Sequence, residues 1–345
     1  MTVVWFGGDG SRVLYRPVGH SKWRSVTSHM NSVVHVAHIE GLRSDSGYIF
    51  QIEGSQEKYQ FRTLPSQLSR EVRFVVGGDI FYYRNLDNFV KMNQVIGDDD
   101  PDFVVLGGDI AYTKGSKRAK KDRTWELNRW LEFFKTMAGT MKGKENRVIP
   151  MIPVIGNHDV GSHQVEGELF YEIFPFPEEG KSYRKMVFGN YLDLVLLDTG
   201  HTWPIEGDQT QWLKKNLDVD KAPYLFAVYH IASYPSHYNY EGAVPKLMRK
   251  EWSPLFEEAH MTAVFENHNH LLKRTKPMNG VVYLGDGSWG TSPRSMPKKR
   301  DYLEMVRSIN ACWFVHLTKN QAQIEARTST DKIADQIELP PRRKL

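Results

Sequence analysis

Seven side chains that can bind metal ions follow short apolar runs, in one order along the chain. They are Asp79, Asp109, Tyr112, Asn157, His230, His268 and His270. Short apolar runs are typical of buried strands, and open α/β sheets place their sites beyond the carboxyl ends of strands. Carboxylate, phenol, amide oxygen and imidazole groups suit hard or borderline cations. The ordered set therefore predicts a metal site at the edge of a sheet.

The length and composition are those of an ordinary globular protein. At 345 residues the chain exceeds the usual size of one domain, which predicts two domains. Its formal charge of +4 suits an anionic substrate but is equally common in proteins that bind none. The single cysteine, Cys312, lies in the apolar run ACWFVH, so we expect a buried thiol and no internal disulfide.

No segment of the sequence predicts a membrane span or a signal peptide. No run approaches the ~18 apolar residues that cross a bilayer. The N-terminal MTVVWFGGDGS lacks a basic region followed by a long apolar stretch. The sequence leaves two compartments open, the cytoplasm or, if a leader was removed, a location outside it.

Up to about residue 65 the sequence consists of short β-branched and aromatic runs separated by turn residues. These runs predict strands in VVWF, RVLYRPV, VVHVAHI, YIFQIEG and KYQFRTL. In GLRSDSGY, Leu42 and Tyr48 have the spacing of the tyrosine corner of β-sandwiches, and GGDGS at 7–11 predicts a hairpin turn. We therefore predict a small β-sandwich at 1–66 with an incomplete set of strands. The polar connector TLPSQLSRE joins it to a second domain at 67–345.

Beyond the connector, apolar runs alternate with helical patterns. Strands are predicted in REVRFVVGGD, DFVVLGGD, VIPMIPVIGNHD, YLDLVLLDTG, YLFAVYH, MTAVFENH and GVVYLGDG, with a closing hairpin in ACWFVHL and QAQIEAR. Helices are predicted near 86–96, 124–138, 208–217 and 254–260. In the second helix Leu127, Leu131 and Phe134 recur at helical spacing. The alternation predicts a layered α/β or α+β fold.

The candidate ligands divide into two groups around two ions. Two cations about 3.5–4 Å apart cleave phosphate esters by activating a water and holding the phosphate oxygens. Asp109 is the candidate shared ligand, because carboxylates commonly bridge two ions and Tyr112 follows three residues later. Asp79 and His270 would complete the first ion. The second ion would take Asn157, His230 and His268. A phenolate favours Fe(III), whereas the amide and imidazoles suit Zn(II), Mn(II) or Fe(II).

Taken singly, these motifs are weak signals. GGD after a strand is usually a tight turn, GNH a loop with local hydrogen bonds, and a histidine on an apolar strand a core residue. NHNH is the most specific of these motifs, because His268 and His270 are two residues apart and would face the same side of an extended segment. The occurrence of all the motifs in order is what predicts a function.

The order GD…GDxxY…GNH[DE]…H…HxH resembles the metallophosphoesterase superfamily over about residues 70–330, and Tyr112 resembles its purple acid phosphatase branch. HVAHIEGLRSDSGYIF and FRTLP resemble the fibronectin-III-like domain that precedes the catalytic domain there. The resemblance implies a binuclear Fe(III)–M(II) centre with the ligand roles given above, hydrolysis of small phosphomonoesters, and a secreted or periplasmic location if a leader was removed. It further implies that His158 contacts the substrate phosphate or leaving group. His237 is the nearest candidate for a second substrate histidine.

Three positions depart from the pattern of this family. Phe81 and Asn267 stand where the family has glycines, and Asp159 is a common variant of the acid after GNH. Because glycine lets backbone segments approach closely, we expect the first two replacements to alter the shape of the pocket. All the candidate ligands are retained, so metal binding is expected to be retained as well.

Three functions fit these residues. The favoured one is hydrolysis of phosphate monoesters by a metal-activated hydroxide, with His158 or His237 protonating the leaving oxygen. A phosphodiesterase with the same centre, or a non-catalytic phosphate-binding module on a phosphatase scaffold, would use the same residues. The basic clusters at 114–121 and 294–300 are either solvated loop charges or a rim that attracts phosphate.

The remaining motifs do not predict another function. GDGSWG at 285–290 fits GxGxxG but lacks a following helix, so we expect a loop at the pocket edge rather than a dinucleotide site. The basic clusters have no interleaved aromatic residues, which argues against nucleic-acid binding. The sequence contains neither a P-loop nor a serine elbow.

Overall fold

The computed structural model describes residues 1–8, 10–83, 86–114, 122–160, 168–176, 180–218, 222–295 and 299–342. In this part of the chain, seven strands come first and form two antiparallel sheets. They are β1 (Thr2–Phe6), β2 (Arg12–Pro17), β3 (Arg24–Thr27), β4 (His29–Asn31), β5 (Val34–His38), β6 (Gly47–Ile52) and β7 (Tyr59–Arg62). One sheet has the order β1-β5-β4 and the other β3-β2-β6-β7.

The two sheets enclose a small apolar core, as the predicted β-sandwich requires. Its buried members are Val3, Val13, Tyr15, Ala37, Ile39, Tyr48, Phe50 and Phe61. The Tyr48 hydroxyl accepts a hydrogen bond from Arg43 N at 2.8 Å, which is the contact of a tyrosine corner. Strands β3 and β4 are polar, so apolar runs did not predict them. The hairpin predicted at 7–11 is wrong, because β1 pairs with β5 while β2 pairs with β3 and β6.

Strands and helices alternate in the rest of the chain, which confirms the predicted layered α/β class. The strands are β8 (Val72–Gly77), β9 (Phe103–Gly107), β10 (Lys142–Gly143), β11 (Arg147–Val148), β12 (Met151–Val154), β13 (Arg184–Phe188), β14 (Leu192–Leu196), β15 (Tyr224–Ile231), β16 (Ala263–Asn267), β17 (Leu272–Thr275), β18 (Tyr283–Gly285), β19 (Leu303–Arg307), β20 (Ala311–Leu317), β21 (Ala322–Thr328) and β22 (Ile333–Leu339). The helices are α1 (Leu86–Asp99), α2 (Arg123–Thr140), α3 (Asn157–Val160), α4 (Glu168–Ile173), α5 (Asp208–Asp218), α6 (Ala243–Glu251) and α7 (Ser253–Glu258), with a 3-10 turn at Lys144–Asn146.

Two mixed sheets face each other at the centre of this region. One has the order β12-β9-β8-β20-β21-β22 and the other β13-β14-β15-β16-β18-β17-β19. Their facing side chains form one apolar core, in which the rings of Phe74 and Phe226 meet edge to face at 5.6 Å. Strands β8, β9 and β12 run parallel to one another, as do β14, β15, β16 and β18. The carboxyl ends of each parallel group therefore meet at one edge of its sheet.

Helices cover the outer face of each sheet. Helices α1 and α2 pack on the first sheet, and α5, α6 and α7 on the second. Helix α2 confirms the helix predicted over 124–138, but its buried apolar side chains are Trp130, Phe133 and Met137. Leu131, which the predicted spacing included, is 36% exposed. Helix α6 was not predicted.

The β-sandwich packs against α2 and the connector. The rings of Phe6 and Phe134 lie 5.7 Å apart, and side chains of β5 join the same apolar cluster as α2. The Asp102 carboxylate accepts hydrogen bonds from Arg62 in β7 and Arg70 in the connector, at 3.0 and 2.9 Å. Apolar and charged contacts thus both link the sandwich to the larger region. The domain boundary after residue 66 and the fibronectin-III likeness of the sandwich stay predictions.

Cys312 lies in β20 and is fully buried, as its apolar run predicted. Burial and the neighbouring Asp286 raise the pKa of its thiol well above the ordinary range, so the thiol stays protonated. None of the helices in the described ranges combines the length and apolar character needed to cross a bilayer.

Candidate metal centre

The seven candidate ligands lie together at the carboxyl ends of the parallel strands. Asp79 follows β8, Asp109 and Tyr112 follow β9, Asn157 begins α3 after β12, His230 lies on β15, and His268 and His270 follow β16. Four of them are buried, namely Asp79, Asp109, Tyr112 and His230. The remaining three are partly exposed, which gives the cluster one open side.

Four donor atoms form the first group, around His230. His230 Nε2 lies 3.2 Å from Asp109 Oδ2, 3.2 Å from Asn157 Oδ1 and 3.2 Å from His268 Nδ1. Donor atoms of Asp109, His230 and His268 all lie within 4.8 Å of one another. His230 Nδ1 is 2.9 Å from the carbonyl oxygen of Gly107 and donates to it, which leaves Nε2 turned toward the group.

Three donor atoms form the second group, around Asp79. Asp79 Oδ1 accepts a hydrogen bond from the Tyr112 hydroxyl at 2.9 Å and lies 2.7 Å from His270 Nε2. The Tyr112 hydroxyl is 3.4 Å from His270 Nε2. Asp79 Oδ2 accepts the backbone N–H of His268 at 2.9 Å, which ties this group to the first.

The electrostatics of the cluster favour a cation. Although burial favours the neutral acids, neighbouring histidines hold the pKa values of Asp79 and Asp109 below their ordinary range. Burial disfavours a charged imidazole, yet Asp109 raises the pKa of His230 to about 10. Asp109 Oδ2 is buried and accepts no hydrogen bond. A buried anionic oxygen is costly unless a positive charge faces it. In the metal-free chain that charge is the protonated His230, whose Nε2 lies 3.2 Å from Asp109 Oδ2, and a metal ion could take its place.

Much of the backbone at the cluster is left-handed. The φ angles are 55° at Asp79, 53° at Asp109, 53° at Tyr112, 68° at His268 and 50° at His270. Each such angle costs a non-glycine residue on the order of 1 kcal/mol, so the surrounding structure must hold it. Gly108 has a φ of 90°, and a Cβ there would lie 2.6 Å from His230 Nδ1. Only glycine fits that position.

Asp159 holds the loop that carries Asp109. Its carboxyl oxygens accept the backbone N–H groups of Asp109 at 2.9 Å, Ile110 at 2.8 Å and Gly156 at 2.9 Å. Burial and the charge of Asp109 raise the pKa of Asp159 to about 8. The sequence showed Asp159 only as a variant of the acid after GNH. Its spacing of three from Gly156 is the signal that was available for this positioning role.

Arg129 joins the loops that follow β8 and β9. Its guanidinium group lies 3.9 Å from the ring centre of Phe81 and 4.5 Å from that of Tyr83. It donates hydrogen bonds to the carbonyl oxygens of Phe81 and Ala111, one in each loop. Sequence analysis missed this residue, because an arginine at an inward position of a helix carries no motif.

His158 lies at the open side of the cluster. Its Nε2 is 3.9 Å from Asp109 Oδ2, and its ring stacks on Tyr112 with 4.8 Å between centroids. His158 Nδ1 is 2.9 Å from the carbonyl oxygen of Lys114. Since a carbonyl only accepts, Nδ1 carries a proton and Nε2 is the atom turned to the cluster. Most of the predicted basic cluster at 114–121 lies outside the described residues.

His237 lies beside the loop after β16 rather than among the donor atoms. Its backbone N–H donates to the side-chain oxygen of Asn269, which stands between His268 and His270, at 3.1 Å. The structure thus brings His158 next to the candidate ligands and His237 to the edge of their loop.

Phe81 and Asn267 turn their side chains into the interior, and their expected effect on the shape of the pocket stays a prediction. Phe81 is fully buried and meets Phe89 edge to face at 5.2 Å. Asn267 Nδ2 donates to the carbonyl oxygen of Tyr229 at 2.8 Å, behind the ligand loop. Gly78 makes room for it, since a Cβ there would lie 2.8 Å from Asn267 Oδ1.

Residues 72–271, more than half of the chain, match the calcineurin-like phosphoesterase family. The chain therefore belongs to this family and is a metal-dependent hydrolase of phosphoesters. This confirms the metallophosphoesterase resemblance, and the fold implies two metal ions.

Solved structures share the fold. Purple acid phosphatase PPD1 from yellow lupin (Lupinus luteus) seeds has a TM-score of 0.82 and 16% identity, covering 98% of this chain and 72% of that chain. PhoD has a TM-score of 0.71 and 12% identity, covering 94% and 82%. GAP50, the anchor in the inner membrane complex of Plasmodium, has a TM-score of 0.61 and 16% identity, covering 79% and 90%. Such identities establish the fold alone. No curated protein matches the chain.

Proposed function

We propose that the protein is a binuclear metal-dependent phosphomonoesterase. The observation that carries the proposal is the buried Asp109 Oδ2, which accepts no hydrogen bond and has His230 Nε2 3.2 Å away. Asn157 and His268 extend the same cluster with an oxygen and a nitrogen donor. A carboxylate among neutral donors of this kind suits a divalent cation.

The donor atoms divide between two ions. Asp79, Tyr112 and His270 would hold Fe(III), which favours phenolate oxygen. Asn157, His230 and His268 would hold Zn(II), Mn(II) or Fe(II), and Asp109 would contact both ions. Two cations so held would supply an activated water and would neutralise the charge of the phosphoryl group.

His158 is the residue that we assign to the substrate. Its Nδ1–H is fixed on the Lys114 carbonyl oxygen, and its side chain is 25% exposed. A protonated Nε2 can donate a hydrogen bond to a phosphate oxygen or give its proton to the leaving oxygen. His237, at the edge of the ligand loop, is the second candidate for that proton.

The test compares the hydrolysis of an aryl phosphomonoester with that of its bis-aryl diester, using metal-reconstituted protein from acid to neutral pH. A monoester preference in kcat/KM of about ten-fold or more supports the proposal. A diester preference shifts the function to a phosphodiesterase. Turnover of neither ester by protein that holds its metals points to the phosphate-binding module.

The assignment of Fe(III) has a spectroscopic test. Iron bound by Tyr112 should give a visible charge-transfer band, and Tyr112→Phe should remove the band while the metals of the His230 group remain. Tyr82→Phe is the matched control, since its ring lies 5.0 Å from Tyr112 and should not change the band. A colourless, fully active protein with two divalent ions would count against the iron assignment.

A further inference from the structure

Two arginines meet at a tyrosine beside the candidate metal centre. The Tyr238 ring stacks on the ring of His268, with 4.8 Å between centroids and 23° between planes. The Tyr238 hydroxyl accepts a hydrogen bond from Arg294 at 2.5 Å, and its carbonyl oxygen accepts one from Arg300 at 3.3 Å. Tyr238 thus contacts the candidate ligand His268 through its ring, Arg294 through its hydroxyl and Arg300 through its backbone carbonyl.

Backbone hydrogen bonds hold Arg294 to the ligand loops. Its N–H donates to the carbonyl oxygen of His270 at 3.0 Å. Just before it, the N–H of Thr291 donates to the carbonyl oxygen of Asp79 at 3.2 Å. The Ser308 hydroxyl donates to the Arg294 carbonyl oxygen at 2.6 Å. The position of Arg294 relative to the centre is therefore fixed by the same loops that carry the candidate ligands.

Within the described ranges, neither of these two arginines is paired with a carboxylate. Among the described residues, no carboxylate oxygen lies within 4.0 Å of either guanidinium group. The Nε atoms of both Arg294 and Arg300 are buried and make no hydrogen bond. Arg274, by contrast, is paired with Asp335 through two hydrogen bonds of 2.7 and 3.1 Å. An arginine without a carboxylate partner keeps a positive charge that a phosphate group can neutralise.

We propose that the substrate carries a second phosphate group, bound by Arg294 with support from Arg300, in addition to the phosphoryl group that is cleaved. The guanidinium fork binds phosphate through parallel hydrogen bonds. The Arg294 guanidinium lies 5.0 Å from the centre of the Tyr238 ring, which itself stacks on His268, so Arg294 lies close to the candidate metal centre. This inference rests on the proposed phosphomonoesterase function and narrows its substrate class.

The kinetic test uses three alkyl phosphates of similar length with the metal-loaded protein. They are propanediol bisphosphate, hydroxypropyl phosphate and carboxypropyl phosphate. The bisphosphate has equivalent ester groups at both ends, so its kcat/KM is expressed per ester group. So expressed, it should exceed the kcat/KM of hydroxypropyl phosphate by about ten-fold or more. If carboxypropyl phosphate were preferred over hydroxypropyl phosphate as strongly as the bisphosphate is, the site would not be specific for phosphate and the proposal would be wrong.

Variants connect this preference to the arginine. Arg294→Gln should reduce the preference about ten-fold, and Arg294→Lys, which keeps the charge without the fork, should retain part of it. Arg307→Gln is the matched control, because Arg307 is an exposed arginine on β19 and its loss should leave the preference unchanged. A preference that survives in Arg294→Gln would overturn the proposal.

A binding measurement separates this inference from the proposed function. Propylphosphonate and propanediyl bisphosphonate are not hydrolysed. In titration calorimetry, the wild-type protein should bind the bisphosphonate about ten-fold more tightly than propylphosphonate, and Arg294→Gln should bind the two with similar affinity. If no ester is hydrolysed but this difference holds and is lost in Arg294→Gln, the second-phosphate site stands while the monoesterase fails. If esters are hydrolysed without any preference in either measurement, the monoesterase stands and the second-phosphate site fails.

Discussion

Asp102 and Asp109 flank the same strand, β9, and the side chain of each is only 1% exposed. Asp102 immediately precedes the strand, on the side where the β-sandwich packs, and Asp109 follows its other end at the candidate metal centre. Burial favours the neutral form of both, yet their surroundings hold both pKa values below the ordinary value of 3.8. Each end of β9 therefore carries a buried negative charge.

The two charges are compensated differently. Asp102 Oδ1 accepts from Arg62 at 3.0 Å and Arg70 at 2.9 Å, while Oδ2 accepts from Arg70 at 2.9 Å and the backbone of Arg73 at 3.1 Å. Asp109 Oδ1 accepts from the backbone of His158 at 2.7 Å, whereas Oδ2 accepts nothing. A carboxylate satisfied by the protein stabilises the fold. A carboxylate oxygen that accepts no hydrogen bond and lies among other metal-binding side chains can bind a cation together with them.

The largest expected effect is that of Asp109→Asn on activity. Removing the charge that both ions share should lower kcat/KM by about a thousand-fold or more, equivalent to about 4 kcal/mol. Elemental analysis should show loss of both metals. Near wild-type turnover would show that Asp109 is not a shared ligand.

Asp102→Asn should have the opposite profile. The substitution leaves Arg62 and Arg70 without their shared anion, so the free energy of unfolding should fall by about 2–3 kcal/mol in denaturant titrations. The activity of the folded fraction should change less than about two-fold. Asp45→Asn is the control, since Asp45 pairs with Arg70 at 2.7 Å but its side chain is 42% exposed, and its loss should cost less than about 0.5 kcal/mol. If Asp102→Asn and Asp45→Asn lowered the free energy of unfolding by similar amounts, Asp102 would not have the structural role that we assign to it.

Arg129→Met tests whether the loops after β8 and β9 need the hydrogen bonds from Arg129 to hold the candidate ligands in place. Methionine keeps the apolar stem but cannot donate to the Phe81 and Ala111 carbonyl oxygens. We expect metal affinity and kcat/KM to fall about twenty-fold, equivalent to about 2 kcal/mol. Arg123→Met, on the same helix with a side chain that is 51% exposed, is the matched control. If excess metal does not restore part of the activity, Arg129 acts on the fold rather than on the ligand loops.

The order of the candidate ligands could be predicted from the sequence because two local features coincide. Each polar residue follows an apolar run, and parallel strands bring their carboxyl ends together whatever lies between them. The contrast between Asp102 and Asp109 could not be predicted. Both are aspartates next to the apolar run FVVLGG, and only the folded chain shows which one meets arginines.

The direction of side chains was the other unpredictable part. Phe81 and Asn267 replace glycines of the family pattern, but the backbone turns both side chains into the core. Arg129 points inward from α2 while Leu131 is exposed, although apolar spacing favoured the leucine. Such positions depend on which face of a helix or loop meets its neighbour, and a single sequence does not encode that locally.

The smallest expected effect is a pH dependence at the Asp102 end. Because Arg70 and Arg62 outweigh burial, the pKa of Asp102 is lower in the folded chain than the ordinary value of 3.8. The unfolded chain therefore binds this proton more readily, so the stabilisation is present above 3.8 and is lost as pH falls through the folded pKa. The difference in unfolding free energy between metal-free wild type and Asp102→Asn should be constant above about pH 6 and shrink as the pH falls below about 4. A difference that grows on acidification would mean that Asp102 is protonated in the folded chain, and the two ends of β9 would then not differ as the hydrogen bonds indicate.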